Sequence, residues 1–221
     1  MGQTADQINV TLIPVTADDL SVIEIDWRAL EVNTQCHYFL TWDWLGAWIN
    51  QCQGDFYLLK ATLAGRVVGL SFIFTNTRRV FKCYGISQWW LNRTGQEQYD
   101  QAWLEYNDFL VAQSIHAEVK QAMLSFIATD NSWDEFIIGM TDMKTEQAFN
   151  VLSRHKRMLI QDIGYDLKLS TIVNNHLSDI VSRNTRQKIN QTKKLLEQYG
   201  QVNFSVLTTR QEKLNALPSL K

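Results

Sequence analysis

The sequence predicts a mixed α/β (α+β) fold built on a largely antiparallel sheet flanked by helices. Three observations carry this reading. An alternating run, Ile8 to Val15, leads into a helix-start signal; two strand-like runs meet at Ala64-Gly65; and an apolar run ending at Val111 leads into a long helical stripe. With 221 residues, 45% of them hydrophobic, the chain can bury one generous core or one core and part of a second. Eight Trp and seven Tyr beside only two prolines favour an aromatic-rich core with few broken elements.

Taken in order, Ile8 to Val15 alternates apolar and polar positions and stops near Pro14. Thr16 then offers a cap, Asp18 and Asp19 an acidic first turn, and Leu20, Ile23, Trp27 and Leu30 one apolar face, as an amphipathic helix requires. A second helix follows Thr41, with Asp43 in its first turn and Trp44, Leu45, Trp48, Ile49 and Cys52 on one side. Gly54 is expected to end it. Phe56 to Leu63 and Arg66 to Thr75 read as a hairpin, because Gly65 can take the positive φ of a tight turn. Val80 to Tyr84 reads as a third strand.

Trp103 to Val111 has the weight of an interior strand. Ser114 then caps a helix whose Ile115, Val119, Ala122, Met123, Phe126 and Ile127 form a continuous stripe, so a crossover is expected. Phe136 to Met140 reads as a strand, Phe149 and Leu152 as part of a helix, and Met158 to Ile163 with Tyr165 to Ile172 as a pair turned at Gly164. Beyond Asn174 the texture changes. Ser178 to Tyr199 is a long helical pattern ended by Gly200, then come a strand from Val202 to Leu207 and a helix start near Thr209.

Charge and cysteine usage exclude several classes. Lys plus Arg total 21 against 23 acidic residues, so a net charge of −2 provides no global attraction to nucleic acid or anionic membrane, and any anion site must be local. Cys36, Cys52 and Cys83 have neither disulfide-framework nor zinc spacing and are expected to be reduced, mostly buried thiols. His37, His116, His155 and His176 form no metal-ligand set. No signal peptide or membrane-spanning run is evident, so a cytoplasmic location is expected and the sequons at Asn9, Asn92, Asn190 and Asn203 are accidental. No phosphate loop, dinucleotide fingerprint or nucleophile elbow is present.

The series Trp42-Asp43-Trp44-Leu45-Gly46-Ala47-Trp48, the hairpin Gly65-Arg66-Val67-Val68-Gly69, Glu105-Tyr106-Asn107-Asp108-Phe109-Leu110, and Ser182-Arg183-Asn184-Thr185-Arg186-Gln187-Lys188-Ile189 leading to Leu195-Leu196-Glu197-Gln198-Tyr199-Gly200 resembles the CelD/BcsL-like branch of the GNAT acyltransferases. That branch is associated with cellulose and other surface polysaccharides and is related in layout to the FemAB aminoacyltransferases. The resemblance implies two GNAT-like lobes: residues 1–172 as the N-terminal lobe, and 173–221 as only the first helices and strand of a second, incomplete one. It further implies acetyl-CoA or another acyl-CoA as donor, bound in the missing second lobe, and a small-molecule or polymer-precursor acceptor. A chain cut at this point is expected to be inactive alone. A non-catalytic GNAT-like binding or interaction module is the alternative.

GNAT enzymes hold the donor pyrophosphate at a glycine-rich helix start, where free N–H groups and the helix dipole face the anion. The matching segment, Val111 to Ala117, contains no glycine, so no cofactor-binding residue is expected in this chain. Five basic residues lie between positions 183 and 194 with no acid among them. At about 100° per residue, Arg183, Arg186, Lys193 and Lys194 gather opposite Thr185, Ile189, Thr192, Leu196 and Tyr199, with Lys188 the exception. Such a stripe is either a solvated face or, as the family layout implies, an acceptor-phosphate contact led by Arg186, with Arg183 and Lys193 following. Glu105, Tyr106, Asn107 and Asp108 either cap neighbouring backbone or line a cleft; in the second case Asp108 and Glu105 accept hydrogen bonds from a sugar or amine and Tyr106 stacks or donates. No general base is assignable.

Overall fold

The computed structural model describes residues 7–81, 83–102, 104–152, 181–203 and 205–219. The chain divides into two compact units, Met1–Met158 and Leu159–Lys221. The first holds a sheet in the order β1 (Asn9–Pro14), β2 (Phe56–Leu63), β3 (Arg66–Val80), β4 (Tyr84–Leu91), β6 (Glu135–Ile138), with β5 (Leu110–Val111) also paired to β3. Among the described residues every pairing is antiparallel except β4 with β6. A mixed, largely antiparallel sheet with flanking helices is the fold class expected from the sequence.

Strand β1 (Asn9–Pro14) leads to Thr16, whose backbone N–H and hydroxyl donate to Asp19 at 2.8 and 2.7 Å, closing a single turn before α1 (Leu20–Glu31). The buried side of α1 is Ile23, Trp27 and Leu30. Trp27 has no exposed surface, stacks on Phe72 at 5.0 Å, and satisfies its indole N–H on the Leu40 carbonyl at 2.9 Å. Helix α2 (Trp42–Ile49) adds Trp42, Leu45, Trp48 and Ile49 to the same core, and Trp48 finds the Tyr99 carbonyl at 3.0 Å. Trp42 and Trp48 of the Trp-rich helix are therefore core.

Strands β2 (Phe56–Leu63) and β3 (Arg66–Val80) join through Ala64 and Gly65, with φ of 49° and 77°. Two successive positive φ values match the right-handed twist of the flanking strands. β3 runs on past Thr75, and β4 is Tyr84–Leu91. Val80 closes β3 and Tyr84 opens β4, each the other's partner, so the two belong to different strands and not to one. Correspondingly Cys83 is exposed, while Cys36 and Cys52 are half-buried. Burial pushes the Cys52 thiol up to about 12, so it stays a neutral, inert group.

Among the described residues of the expected Trp103–Val111 strand, only Leu110–Val111 is paired, as β5. Leu104 and Phe109 are nevertheless buried, since apolar weight reports burial and not ladder pairing. A turn at Gln113–Ile115 precedes α4 (His116–Thr129), and β6 (Glu135–Ile138) returns beside β4, completing the crossover. A short helix, α3 (Glu97–Asp100), lies in the excursion after β4, and α5 (Met143–Phe149) with a turn at Asn150–Leu152 follows β6. The pair Met158 to Ile163 and Tyr165 to Ile172 lies outside the described residues.

Helix α4 approaches β3 at Gly69. A Cβ there would stand 2.7 Å from Val119 Cγ1, 2.8 Å from Met123 Sδ and 3.1 Å from Ala61 Cβ. Gly69→Val is therefore expected to cost about 1–3 kcal/mol by overpacking, read as a lower midpoint in urea denaturation. An unchanged midpoint would mean that α4 is free to shift off the sheet.

In the second unit α6 (Arg183–Glu197) starts at Ser182, whose hydroxyl accepts the Thr185 N–H at 3.2 Å. It buries no residue; Ile189, Leu196 and Tyr199 are all exposed, against the expected packed stripe. The local cap and the helix-forming residues define this helix without a buried face. Among the described residues of Val202 to Leu207 there is no strand, because no partner pairs with them. α7 (Arg210–Ala216) begins at Thr209 with a reciprocal Thr209–Glu212 cap.

Candidate functional site

β4 and β5 occupy one edge of β3 in succession. Leu91 stands opposite Ile73 and Leu110 opposite Leu70, so a single strand position is interrupted by the excursion of residues 92–109. Such a break leaves backbone groups without ladder partners, and each must be matched elsewhere. Two buried amides do this. Asn92 accepts from the Phe72 N–H at 2.9 Å and the Ser71 hydroxyl at 3.0 Å, and donates to Asn107 Oδ1 at 2.9 Å and the Asp108 carbonyl at 3.0 Å. Asn107 donates its amide to the Leu91 carbonyl at 2.7 Å and its backbone N–H to the Met140 carbonyl at 2.7 Å. The turn at Asn92 requires φ of 47°, which Asn tolerates better than other side chains.

The return from the break places Tyr106 and Asp108 in a cleft of about 490 Å³, bounded by the 34–40 segment, the first turns of α4, and the start of α5. That volume is in the range of small-molecule sites. Tyr106, at φ 54°, lies face to face on His37, centroids 3.9 Å apart and planes 8° from parallel. Asp108 is held from three sides: Lys120 Nζ donates to Oδ2 at 2.6 Å, the Thr145 hydroxyl to the same oxygen at 3.2 Å, and the Phe109 N–H to Oδ1 at 2.8 Å. Lys120 also lies 5.6 Å from the Phe149 ring centroid.

Asp142 caps α5 by accepting the Thr145 N–H at 2.6 Å. Burial raises its pKa, but hydrogen bonds from Thr145 and Lys144 and the Lys120 charge outweigh that, leaving it below the usual carboxylate range and ionised. The cleft thus presents two anchored carboxylates, one buried ammonium and an aromatic pair. These groups suit a ligand rich in hydroxyls or amines.

Of the residues singled out in the sequence, Tyr106 and Asp108 come together here. Glu105 does not line the cleft, and no hydrogen bond or ion pair reaches it among the described residues. Asn107 is a backbone cap. Arg183, Arg186 and Lys193 are exposed on α6 of the second unit, with Lys193 Nζ 4.0 Å from Glu197. Sequence reasoning missed Lys120, Thr145 and His37. For Lys120 a signal existed: it sits beside Val119 and four residues before Leu124, on the buried side of α4.

The chain is similar to several solved structures, acetyltransferases among them. An aminoglycoside acetyltransferase from an uncultured soil metagenomic sample, in complex with trehalose, is 14% identical over 72% of this chain and 97% of its own, with a TM-score of 0.41. A ribosomal-protein-alanine N-acetyltransferase from Brucella melitensis biovar Abortus 2308 is 12% identical over 72% and 100%, TM-score 0.42. A transcriptional regulator from Bacillus halodurans C-125 is 11% identical over 70% and 100%, TM-score 0.38. No protein-family profile and no curated protein matches the chain.

Among the described residues no cluster of three or more His, Cys, Asp or Glu side chains could hold a metal. Nor is any described helix long and apolar enough to cross a membrane.

Proposed function

We propose that this chain belongs to an N- or O-acyltransferase of GNAT type acting on a surface-polysaccharide or cell-envelope precursor, and that the cleft of Tyr106 and Asp108 receives the acceptor. The observation that carries this reading is the cleft itself. Its anchored carboxylates accept hydrogen bonds from sugar hydroxyls or an amine, and the Tyr106–His37 stack offers a flat apolar face to a sugar ring. The sequence resemblance supplies the reaction class and the acyl-CoA donor. The donor site is assigned to the second lobe, because the segment before α4 is a glycine-free turn of Gln113–Ile115. The basic stripe of α6, led by Arg186, is proposed, independently of the cleft, as a contact for a phosphate.

The alternative, a non-catalytic binding module, draws on the Asp108 contacts. With Lys120, Thr145 and the Phe109 N–H all on its oxygens, the Asp108 carboxylate is held as a fixed acceptor, an arrangement that suits ligand binding.

Calorimetry on the chain with a nucleotide-linked amino sugar tests both contacts. Binding is expected to weaken on Tyr106→Ala, through loss of the stack, and on Arg186→Gln, through loss of charge-assisted hydrogen bonds, with the Arg186→Gln melting temperature nearly unchanged. Arg186→Lys should restore part of the affinity, since a point charge lacks the bidentate fork. Acetyl-CoA should give no stoichiometric micromolar binding. Full affinity in folded Tyr106→Ala removes the cleft assignment, and full affinity in Arg186→Gln makes its stripe a solvated face.

A further inference from the structure

The β3–β4 hairpin reaches beyond the rest of the sheet. β2 pairs with β3 only as far as Phe74, and β6 pairs with β4 only from Gln88 onward, so the end of the hairpin is a ribbon of two strands. At about 3.3 Å per residue, Val80 stands about 20 Å past Phe74.

The end of that ribbon is aromatic and uncovered. Phe81 is 91% exposed and Tyr84 64% exposed. Phe81 also holds φ of 51°, a conformation that a bulky side chain adopts at a cost and that glycine adopts freely. Charge accompanies the rings. From Asn76 to Ser87 the sequence has three cations, Arg78, Arg79 and Lys82, and no acid. Glu135 neutralises Arg78 at 2.6 Å, whereas Arg79 is exposed and has no ion pair among the described residues. In a chain of net charge −2 this positive run is local in the sequence.

We infer that the hairpin tip docks on an anionic lipid surface, with Phe81 and Tyr84 entering the headgroup region and Arg79 meeting lipid phosphates. Aromatic rings favour the water–bilayer boundary, and cations beside them are drawn to anionic headgroups. A protein partner is the poorer fit. A standard interface buries about 800 Å² on each side, which the apex of one narrow ribbon does not offer, whereas a fluid headgroup layer needs no matching shape. The inference stands apart from acyl transfer, since the tip shares no residue with the cleft.

Co-sedimentation of the full chain with phosphatidylcholine vesicles, with and without phosphatidylglycerol, tests it. Association is expected with the anionic vesicles only, falling with added salt and by about tenfold for Arg79→Glu. Phe81→Gly should also lose about tenfold while melting no lower than the parent chain, because it removes the strained φ together with the ring. That pairing separates docking from folding. Equal association with neutral vesicles, no association with anionic ones, or undiminished association of Phe81→Gly would each overturn the inference.

Discussion

Lys120→Met is expected to destabilise the first unit by about 3–5 kcal/mol, the range for removing one partner of a buried ion pair. The Lys120 and Asp108 side chains are only 9% and 16% exposed. Methionine can fill the space along Phe149, but it leaves the Asp108 carboxylate with only the Thr145 hydroxyl and the Phe109 N–H. The loss is therefore one of charge compensation and not of packing. Adding Asp108→Asn should recover much of the stability, because two neutral groups no longer need each other. Urea denaturation of the parent, both single variants and the double variant closes the cycle. Additive single effects would show that the pair is not coupled.

Asn92→Ala is expected to cost about 3 kcal/mol or more. It strands the Phe72 N–H, the Ser71 hydroxyl and the Asn107 carboxamide oxygen, and each buried group left without a partner costs about 1–3 kcal/mol. Alanine at φ 47° adds about 1–2 kcal/mol of backbone strain. Asn92→Gly loses the same hydrogen bonds without that strain, so it should be the less damaged variant, and the difference isolates the backbone contribution. Faster hydrogen exchange at the Phe72 amide should accompany both. If Asn92→Ala stays within about 1 kcal/mol of the parent, buried water is matching those groups and the stitched-break account fails.

Features that depend on neighbours in sequence were legible before the structure. The turn at Ala64-Gly65, the Thr16–Asp19 cap, the Ile23, Trp27 and Leu30 stripe and the Thr209 start of α7 each follow from residues within a turn or two of one another. Their physics is local: a permitted φ, a hydroxyl that reaches an N–H, a period that matches the helix. Tyr106 and Asp108 were legible as polar residues in an apolar run, a pattern that only burial with partners explains.

What the sequence could not decide is everything set by pairing between distant segments. Apolar residues from Trp103 to Val111 look alike whether they sit in a ladder or pack without one, and only the register of β3 determined that two of them pair. Val202 to Leu207 has strand-like composition, but strands exist through partners. Lys120 reads as a surface lysine until α4 lies against the break and turns it toward an aspartate twelve residues earlier. Taken alone, the sequence determined the fold class, the caps, the turns and the aromatic core, because these rest on local geometry and on apolar weight. The tertiary structure alone decided the split strand, the Asn92–Asn107 stitch and the charge pair in the cleft, because a buried polar group is stable only where a distant segment brings its partner within hydrogen-bond reach.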